Sequence, residues 1–308
     1  MFIIANPISG RGAGEQAIPL IEQTLRAQGA AFDLARTQRP WHAVELARQA
    51  VADRYDLVAG VGGDGTANEV LNGLLLAQEA GLGEAAMGMI AVGRGNDFAY
   101  GMGIPAGVQA GCQTLLGGQR RRVDVGWVSG GDYPQGRYFG NGVGIGFDAV
   151  VGFESAKMTR LHGFPSYIVA ALKTIFLFFR APLVRLEFDG QVITRPLLLV
   201  SIMNGRRMGG GFYMAPSART DDGLLNLCIA SQVSRLRIFT LIPHFMRGDQ
   251  ASQKPIQTAQ AQMVVVSAIE GALPAHADGE TLCTQGQQLV IEIRPGRLAI
   301  VCPGSAAP

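Results

Sequence analysis

The sequence predicts an α/β N-terminal domain with a parallel sheet over residues 1–122, then a β-rich, sandwich-like domain over residues 123–308 whose last residues can return to the first. Three observations predict it. Short apolar runs alternate with amphipathic stretches as far as Gln119. After Arg120-Arg121-Arg122 the runs stay short but are separated by turn residues. The chain has 308 residues, 48% apolar and only 16% charged, enough to bury two cores.

In the first domain, residues 2–5 read as a buried strand, and Asn6-Pro7-Ile8-Ser9-Gly10-Arg11-Gly12 as a loop. Gly14 to Gln28 reads as a helix with apolar positions Ala17, Leu20, Ile21 and Leu25, and Pro19 predicts that it starts late or kinks there. A strand at Ala31–Ala35 ends at Arg36-Thr37, and a helix follows from His42 to Asp53. The apolar run Leu57–Val61 is a strand, the next helix runs through Ala77, and Met87–Val92 is another strand. Such alternation gives a parallel sheet covered on both faces, with ligands at the carboxyl ends of strands. The loops at Asn6, Thr37, Gly62 and Gly93 all follow strands and can converge.

In the second domain, strands are expected at Val123–Val128, Tyr138–Ile145, Leu183–Phe188, Leu197–Met203, Leu224–Ala230, Met263–Ala268, Leu289–Ile293 and Leu298–Val301. Helical stretches at Gly146–Phe179 and Val233–Arg247 interrupt them.

Several classes are disfavoured. A net charge of +2 is too small and scattered for nucleic acid. Cys112, Cys228, Cys283 and Cys302 are far apart, which predicts free, mostly buried thiols in a reducing compartment. The opening Met1-Phe2-Ile3-Ile4-Ala5-Asn6-Pro7 has no basic segment and too short an apolar run for a signal peptide. The run Phe164–Phe179 is interrupted by Pro165 and Lys173 and falls short of a spanning helix, so the expectation is cytoplasmic with peripheral membrane contact.

The chemistry concentrates in Asp56–Asn72. Its apolar run breaks into a turn with Gly62, Gly63 and Gly65 around Asp64. Glycine permits positive φ and close approach of a ligand. Thr66 or Asn68 can cap the following helix, whose free N–H groups and dipole favour a phosphate. Asp64 would repel a bare phosphate, so it fits beside a cation or as a proton acceptor. Together these point to a nucleoside triphosphate with Mg²⁺.

The chain resembles, over nearly its whole length, the diacylglycerol kinase catalytic-domain lipid kinases in their compact bacterial form. The resemblance rests on Asn6-Pro7-Ile8-Ser9-Gly10, Gly62-Gly63-Asp64-Gly65-Thr66-Ala67-Asn68-Glu69, Gly93-Arg94-Gly95-Asn96-Asp97-Phe98-Ala99 and Asn141-Gly142-Val143-Gly144-Ile145-Gly146-Phe147-Asp148. It continues through Asn204-Gly205, Gly209-Gly210-Gly211, Pro216, Asp221-Asp222-Gly223-Leu224-Leu225 and Asp278-Gly279-Glu280. NAD kinases look similar at the first two, and the ordered set is the specific signal. It implies an NAD kinase-like N-terminal domain in which Gly62–Glu69 binds the ATP phosphates and Asn6 and Thr37 line the nucleotide, with Asn96 and Asp97 near the same cleft between the domains. The family usually has Gly-Thr where this chain has Gly93-Arg94. Arginine offers a cationic fork suited to phosphate in place of a hydroxyl.

The resemblance further implies a second, structural Mg²⁺ or Ca²⁺ on the Asp222 side chain and the carbonyls of Arg219 and Leu224; carboxylate and carbonyl oxygens are hard ligands that suit it. An Asp-Gly hairpin turn explains the same residues without a metal. Lipid phosphorylation needs a group to take the hydroxyl proton, and the family's acidic motif supplies Asp278 or Glu280, with Asp278 slightly favoured. His276 could tune it. The Leu161–Arg185 stretch, with Phe164, Tyr167, Ile168, Leu172, Ile175, Phe176, Phe178 and Phe179 beside Lys173 and Arg180, fits buried core and an acyl-chain wall equally well. Leu236–Met246 is a weaker candidate of that kind. Arg120-Arg121-Arg122 reads as a solvated face more readily than as an anionic-lipid patch. The expected activity is an ATP- and Mg²⁺-dependent lipid kinase acting on a diacylglycerol-like hydroxyl. The rivals are an NAD kinase-like phosphotransferase and a non-catalytic lipid- or nucleotide-binding protein. Exposed strand edges permit a homodimer without requiring one.

Overall fold

The computed structural model describes residues 1–157, 164–177 and 181–304. Leu161, Phe178, Phe179 and Arg180 of the apolar stretch lie outside the described residues. The chain forms two compact units, Met1–Asp124 with the chain from Gly296 onward, and Val125–Pro295.

The first unit is an α/β sandwich built in chain order from β1 (Phe2–Ala5), α1 (Ala13–Ala27), β2 (Asp33–Arg36), α2 (His42–Ala52), β3 (Leu57–Gly62), α3 (Asp64–Glu79), β4 (Ala86–Ala91), α4 (Asp97–Gly101), α5 (Val108–Gly117) and the start of β5 (Gln119–Gly130). The strands run parallel in the order β2-β1-β3-β4. Every residue of β3 and β4 is buried, as strands covered on both faces require. Pro19 neither delays nor ends α1, which begins at Ala13 and continues past it to Ala27. The lost backbone bond and ring clash cost about 3 kcal/mol; burial of Ile18, Ile21 and Leu25 on the sheet offsets this. The arginine run is a solvated face, with Arg120 and Arg122 exposed and engaged in surface ion pairs. Arg120 pairs with Asp56 at 2.6 Å, Arg122 with Glu84 at 2.7 Å, and Arg121 donates to the Met102 carbonyl and the Cys302 thiol.

The second unit continues β5 and adds β6 (Tyr133–Phe139), β7 (Gly142–Gly146), α6 (Phe147–Ala156), α7 (Phe164–Leu177), β8 (Leu183–Phe188), β9 (Gln191–Met203), β10 (Leu225–Ser231), α8 (Arg235–Arg247), β11 (Ile256–Ala261), β12 (Met263–Glu270), β13 (Leu273–Ala277), β14 (Glu280–Gly286) and β15 (Gln288–Cys302). All its pairings are antiparallel. Strand β9 serves two sheets. Its first half pairs with β8, and its second half lies between β7 and β10. The other pairings extend these into β8-β12-β15 and β14-β13-β7-β9-β10-β11.

Period-two alternation then sorts β10. Leu225, Leu227 and Ile229 enter the core between the sheets, with Val184, Leu186, Val264 and Val266 opposite. Cys228 and Ala230 face the other way, against Ile238, Leu241 and Phe245 of α8 and Ile175 of α7. Lys173, which breaks the apolar run of α7, pairs with the buried Glu154 of α6 and ties the two helices together. From Gly296 the last strand belongs to the first unit, where Ile300 pairs in parallel with Met87.

Two strand expectations change. Tyr138–Ile145 is broken at Gly140-Asn141 into β6 and β7, and the last two expected strands are one, β15. Strands β11 (IQTAQA) and β14 (ETLCTQG) have no apolar run to announce them, because both are sheet edges with polar faces. All four cysteines are buried and free.

Candidate active site

In the first unit the loops after β1, β3 and β4 are bonded to one another. The Asn6 N–H donates to the Val61 carbonyl, the Thr37 N–H to Ala5, and the Val92 and Gly93 N–H groups to Gly62. Asn6 Nδ2 donates to Thr66 Oγ1 at 3.0 Å. Asp64 Oδ1 accepts the Phe98 N–H at 2.9 Å, so the carboxylate anchors the first turn of α4. Asn96, at φ 53°, donates from Nδ2 to the Gly93 carbonyl at 2.9 Å, and its buried Oδ1 makes no hydrogen bond.

Positive φ, one of the two roles expected of these glycines, is not what the fold asks of them. None of Gly62, Gly63, Gly65 and Gly93 has positive φ. A Cβ on Gly62 would meet Thr66 Oγ1 at 2.3 Å, and one on Gly93 would meet the Gly63 Cα at 2.3 Å. Gly62 makes room for the Thr66 side chain, and Gly63 and Gly93 let two loops touch backbone to backbone.

Helix α3 starts at Asp64 with Gly63 as its N-cap and no side-chain cap bond. Thr66 and Asn68 lie inside it, buried, and are not caps. Asn72 Nδ2 donates to the Asn68 carbonyl at 2.8 Å. Glu69 accepts the Ala43 N–H at 3.0 Å, which caps α2. Asp97 is buried at the start of α4, and Arg94 is exposed in the loop before it. The structure therefore brings Asn6, Asp64, Thr66, Asn96 and Asp97 into one loop cluster around a helix N-terminus, with Gly62 and Gly63 at its centre.

In the second unit Asp278 is buried, at φ 50°, and its carboxylate accepts three backbone N–H groups: Gly140 at 2.7 Å and Asn141 and Gly142 at 2.9 Å. Both oxygens are committed to the β6–β7 turn. Glu280, two residues on, is exposed at the start of β14. Asn204, just after β9, fixes the same turn by donating to the Gly140 carbonyl at 2.9 Å. In the proposed metal turn, Asp222 Oδ1 accepts the Leu224 N–H at 3.1 Å and Arg219 pairs with Asp221, so these residues make a self-contained Asx turn. Among the described residues no three His, Cys, Asp or Glu side chains cluster at metal-ligand distance.

This unit also holds an apolar cleft walled in part by α7 and α8, the two stretches expected as candidate acyl-chain walls, whereas sequence reasoning missed the contribution of α6 and β9. Its walls are apolar, with Phe147 and Val151 of α6, Ala171 of α7, Leu199 of β9, and Leu241 and Phe245 of α8. Both α7 and α8 thus combine core packing with a cleft wall. Asp148 and His276 are the only ionisable groups among the described lining residues. Burial pushes the Asp148 carboxyl up to about 7, although the Ser201 hydroxyl, donating to Oδ2 at 2.7 Å, works in the other direction. Burial lowers His276 to about 4. The available signals were Phe147-Asp148 after the last glycine of β7 and the histidine two residues before Asp278.

Residues 1–128 match the family model of the diacylglycerol kinase catalytic domain, and residues 141–302 that of the YegS C-terminal NAD kinase beta sandwich-like domain. The chain belongs to the diacylglycerol kinase catalytic-domain family. Diacylglycerol kinase of Bacillus subtilis is 27% identical over 280 residues, covering 90% of this chain and 88% of that one. Diacylglycerol kinase of Mycobacterium tuberculosis H37Rv is 29% identical over 282 residues, covering 91% and 88%. A YegS-like protein of Chromohalobacter salexigens is 32% identical over 266 residues, covering 86% and 81%. A crystal structure of a diacylglycerol kinase from Bacillus anthracis matches the fold with a TM-score of 0.73 at 22% identity, covering 98% of this chain and 96% of that one. The fold of this family, a parallel α/β domain followed by a sandwich-like one, is the fold described above. Among the described residues, no helix is long and apolar enough to cross a membrane.

Proposed function

We propose that the chain is an ATP-dependent kinase that transfers the γ-phosphoryl group to the hydroxyl of a diacylglycerol-like lipid. The observation that carries the lipid reading is the apolar cleft of the second unit, in which Asp148 and His276 are the only ionisable groups among the described lining residues.

The first unit supplies phosphate binding. The N–H groups of the first turn of α3, with the helix dipole behind them, suit the phosphates, and Arg94 brings a cation to the neighbouring loop. Asn6, Thr37, Asn96 and Asp97 line the nucleotide in this reading, and Glu69 acts by holding α2. Mg²⁺ keeps several waters and takes only one or two carboxylates beside phosphate oxygens, so the lack of a three-acid cluster among the described residues suits it. Asp64 is the loop carboxylate that would hold it, and the bound ion would offset phosphate charge. The Asp222 turn, with the Arg219 and Leu224 carbonyls, is the second cation site of this reading.

The second unit supplies the acceptor side. Glu280, exposed and beside the Asp278 anchor, takes the proton as the lipid oxygen bonds to the γ-phosphorus and ADP leaves with the electrons of the broken P–O bond. Asp278 acts by shaping the turn. Membrane approach fits Leu236, 79% exposed between Arg235 and Arg237, with Val169 and Lys173 exposed on α7.

The test is transfer from γ-labelled ATP by purified protein into a panel of lipids in mixed micelles, with NAD as a control acceptor. Label in diacylglycerol or a related alcohol is expected. Label in NAD alone would establish an NAD kinase-like reaction, and bound ATP without transfer a non-catalytic binder.

A further inference from the structure

The turn that presents Glu280 is held by a histidine that also lines the apolar cleft. His276, buried at 4% exposure on β13, accepts the Gly279 N–H through Nδ1 at 3.3 Å. That bond assigns the ring proton to Nε2. The ring is neutral at neutral pH because burial disfavours its charged form, so the Nδ1 lone pair is available. The turn needs holding, since Asp278 and Gly279 follow one another at φ 50° and 86°. The left-handed region costs a non-glycine residue about 1–2 kcal/mol. Asp278 is fixed by its three backbone donors and Gly279 by His276.

The same ring lines the cleft. A Cβ on Gly144 would lie 2.5 Å from His276 Nε2 and 2.6 Å from Asp148 Oδ2, so only glycine leaves room for both groups. Asp148 is itself oriented by Ser201, and both it and His276 line the cleft. An apolar chain filling the cleft therefore packs against the same ring whose Nδ1 holds the acidic turn.

We propose that His276 is a positioning residue for phosphoryl transfer, fixing the Glu280 turn through the Gly279 N–H and coupling that turn to occupancy of the cleft by an acyl chain. This rests on the reading of Glu280 as proton acceptor and of the cleft as the lipid site.

Two substitutions separate the ring nitrogens. His276→Asn keeps an acceptor near the Nδ1 position, whereas His276→Gln places its amide near Nε2 and leaves Gly279 unpaired. With long-chain diacylglycerol in mixed micelles, kcat of His276→Asn is expected within about threefold of wild type, and kcat of His276→Gln about 10–100-fold lower at unchanged KM for ATP, the scale of a small misplacement of a reacting group. Wild type should turn over long-chain acceptors faster than dihexanoylglycerol, and His276→Gln should lose that dependence. Equal kcat for the two variants, or an effect confined to KM, would overturn the proposal. Gly144→Ala, which presses on the ring from the opposite side, should reproduce the loss of kcat if neither His276 variant folds, and a wild-type kcat there would also overturn it. Glu280→Gln runs alongside. If it is inert while the two His276 variants match, this inference alone fails; if it is active, both readings fail.

Discussion

In the first unit the polar side chains of the loop cluster bond to the protein itself, whereas in the second the polar groups stand at the edge of a cleft whose walls are apolar. Asn6 goes to Thr66, Asp64 to the Phe98 N–H, Asn96 to the Gly93 carbonyl and Glu69 to α2, so what the cluster offers a ligand is largely oriented backbone. In the second unit Asp148 and His276 sit among Phe147, Leu199, Leu241 and Phe245, and side-chain volume defines the space. A substitution in the first region acts by moving loops, and one in the second by changing what fits.

The largest expected effect tests the acceptor side. Glu280→Gln should lower kcat by about 10²–10⁴-fold, the usual contribution of a positioned proton acceptor, with KM for ATP unchanged. A variant at wild-type rate would move the role elsewhere. Next is Gly93→Ala, whose methyl must displace the Gly63 backbone. Overpacking of this kind costs about 1–3 kcal/mol, so lower melting temperature and weaker ATP binding should appear together, with KM for lipid nearly unchanged. In the cleft, Ala230→Phe should raise KM for long-chain diacylglycerol by about tenfold, roughly one factor of 1.4 kcal/mol, and leave KM for ATP alone. An effect on ATP alone would blur the contrast between the regions.

The smallest effect is a pH dependence of stability. Asp148 is raised from 3.8 to about 7, so its contribution is fully present below 3.8 and is lost as pH rises through about 7. His276 is lowered from 6.5 to about 4, so its contribution is present above 6.5 and is lost as pH falls through about 4. Between those values the two oppose each other. Asp148→Asn removes one, and urea unfolding should show its stability, relative to wild type, rising with pH from about 4 to 6.5, by at most about 1.4 kcal/mol per pH unit. A parallel pair of curves would show that Asp148 is not a raised, buried acid.

The first unit was largely legible in sequence because its strands are apolar runs and its loops carry their glycines and acids within a few residues of each other. What those residues do was less so. Gly93 is required by its contact with the Gly63 backbone, which lies far from it in sequence, and Thr66 and Asn68 sit inside α3 because that helix begins already at Asp64. Pro19 does not delay α1, since tertiary burial outweighs a local penalty. In the second unit, β11 and β14 are polar edge strands that no apolar run marks. The apolar character of α7 and α8 marks them as candidate cleft walls, but nothing local ties Phe147 of α6 and Leu199 of β9 to the same cleft. Sequence slightly favours Asp278 over Glu280 as the proton acceptor, and the three N–H groups that occupy the Asp278 carboxylate come from a turn distant in sequence.

The most direct test of the account is labelling with a diacylglycerol that carries a photoreactive group at the end of one acyl chain, followed by peptide mapping. Adducts on Phe147–Val151 and Leu241–Phe245, competed by unmodified diacylglycerol and reduced in Ala230→Phe, are the predicted result. Competed labelling confined to the first unit, with none on α6 or α8, would contradict the assignment of this cleft to the lipid.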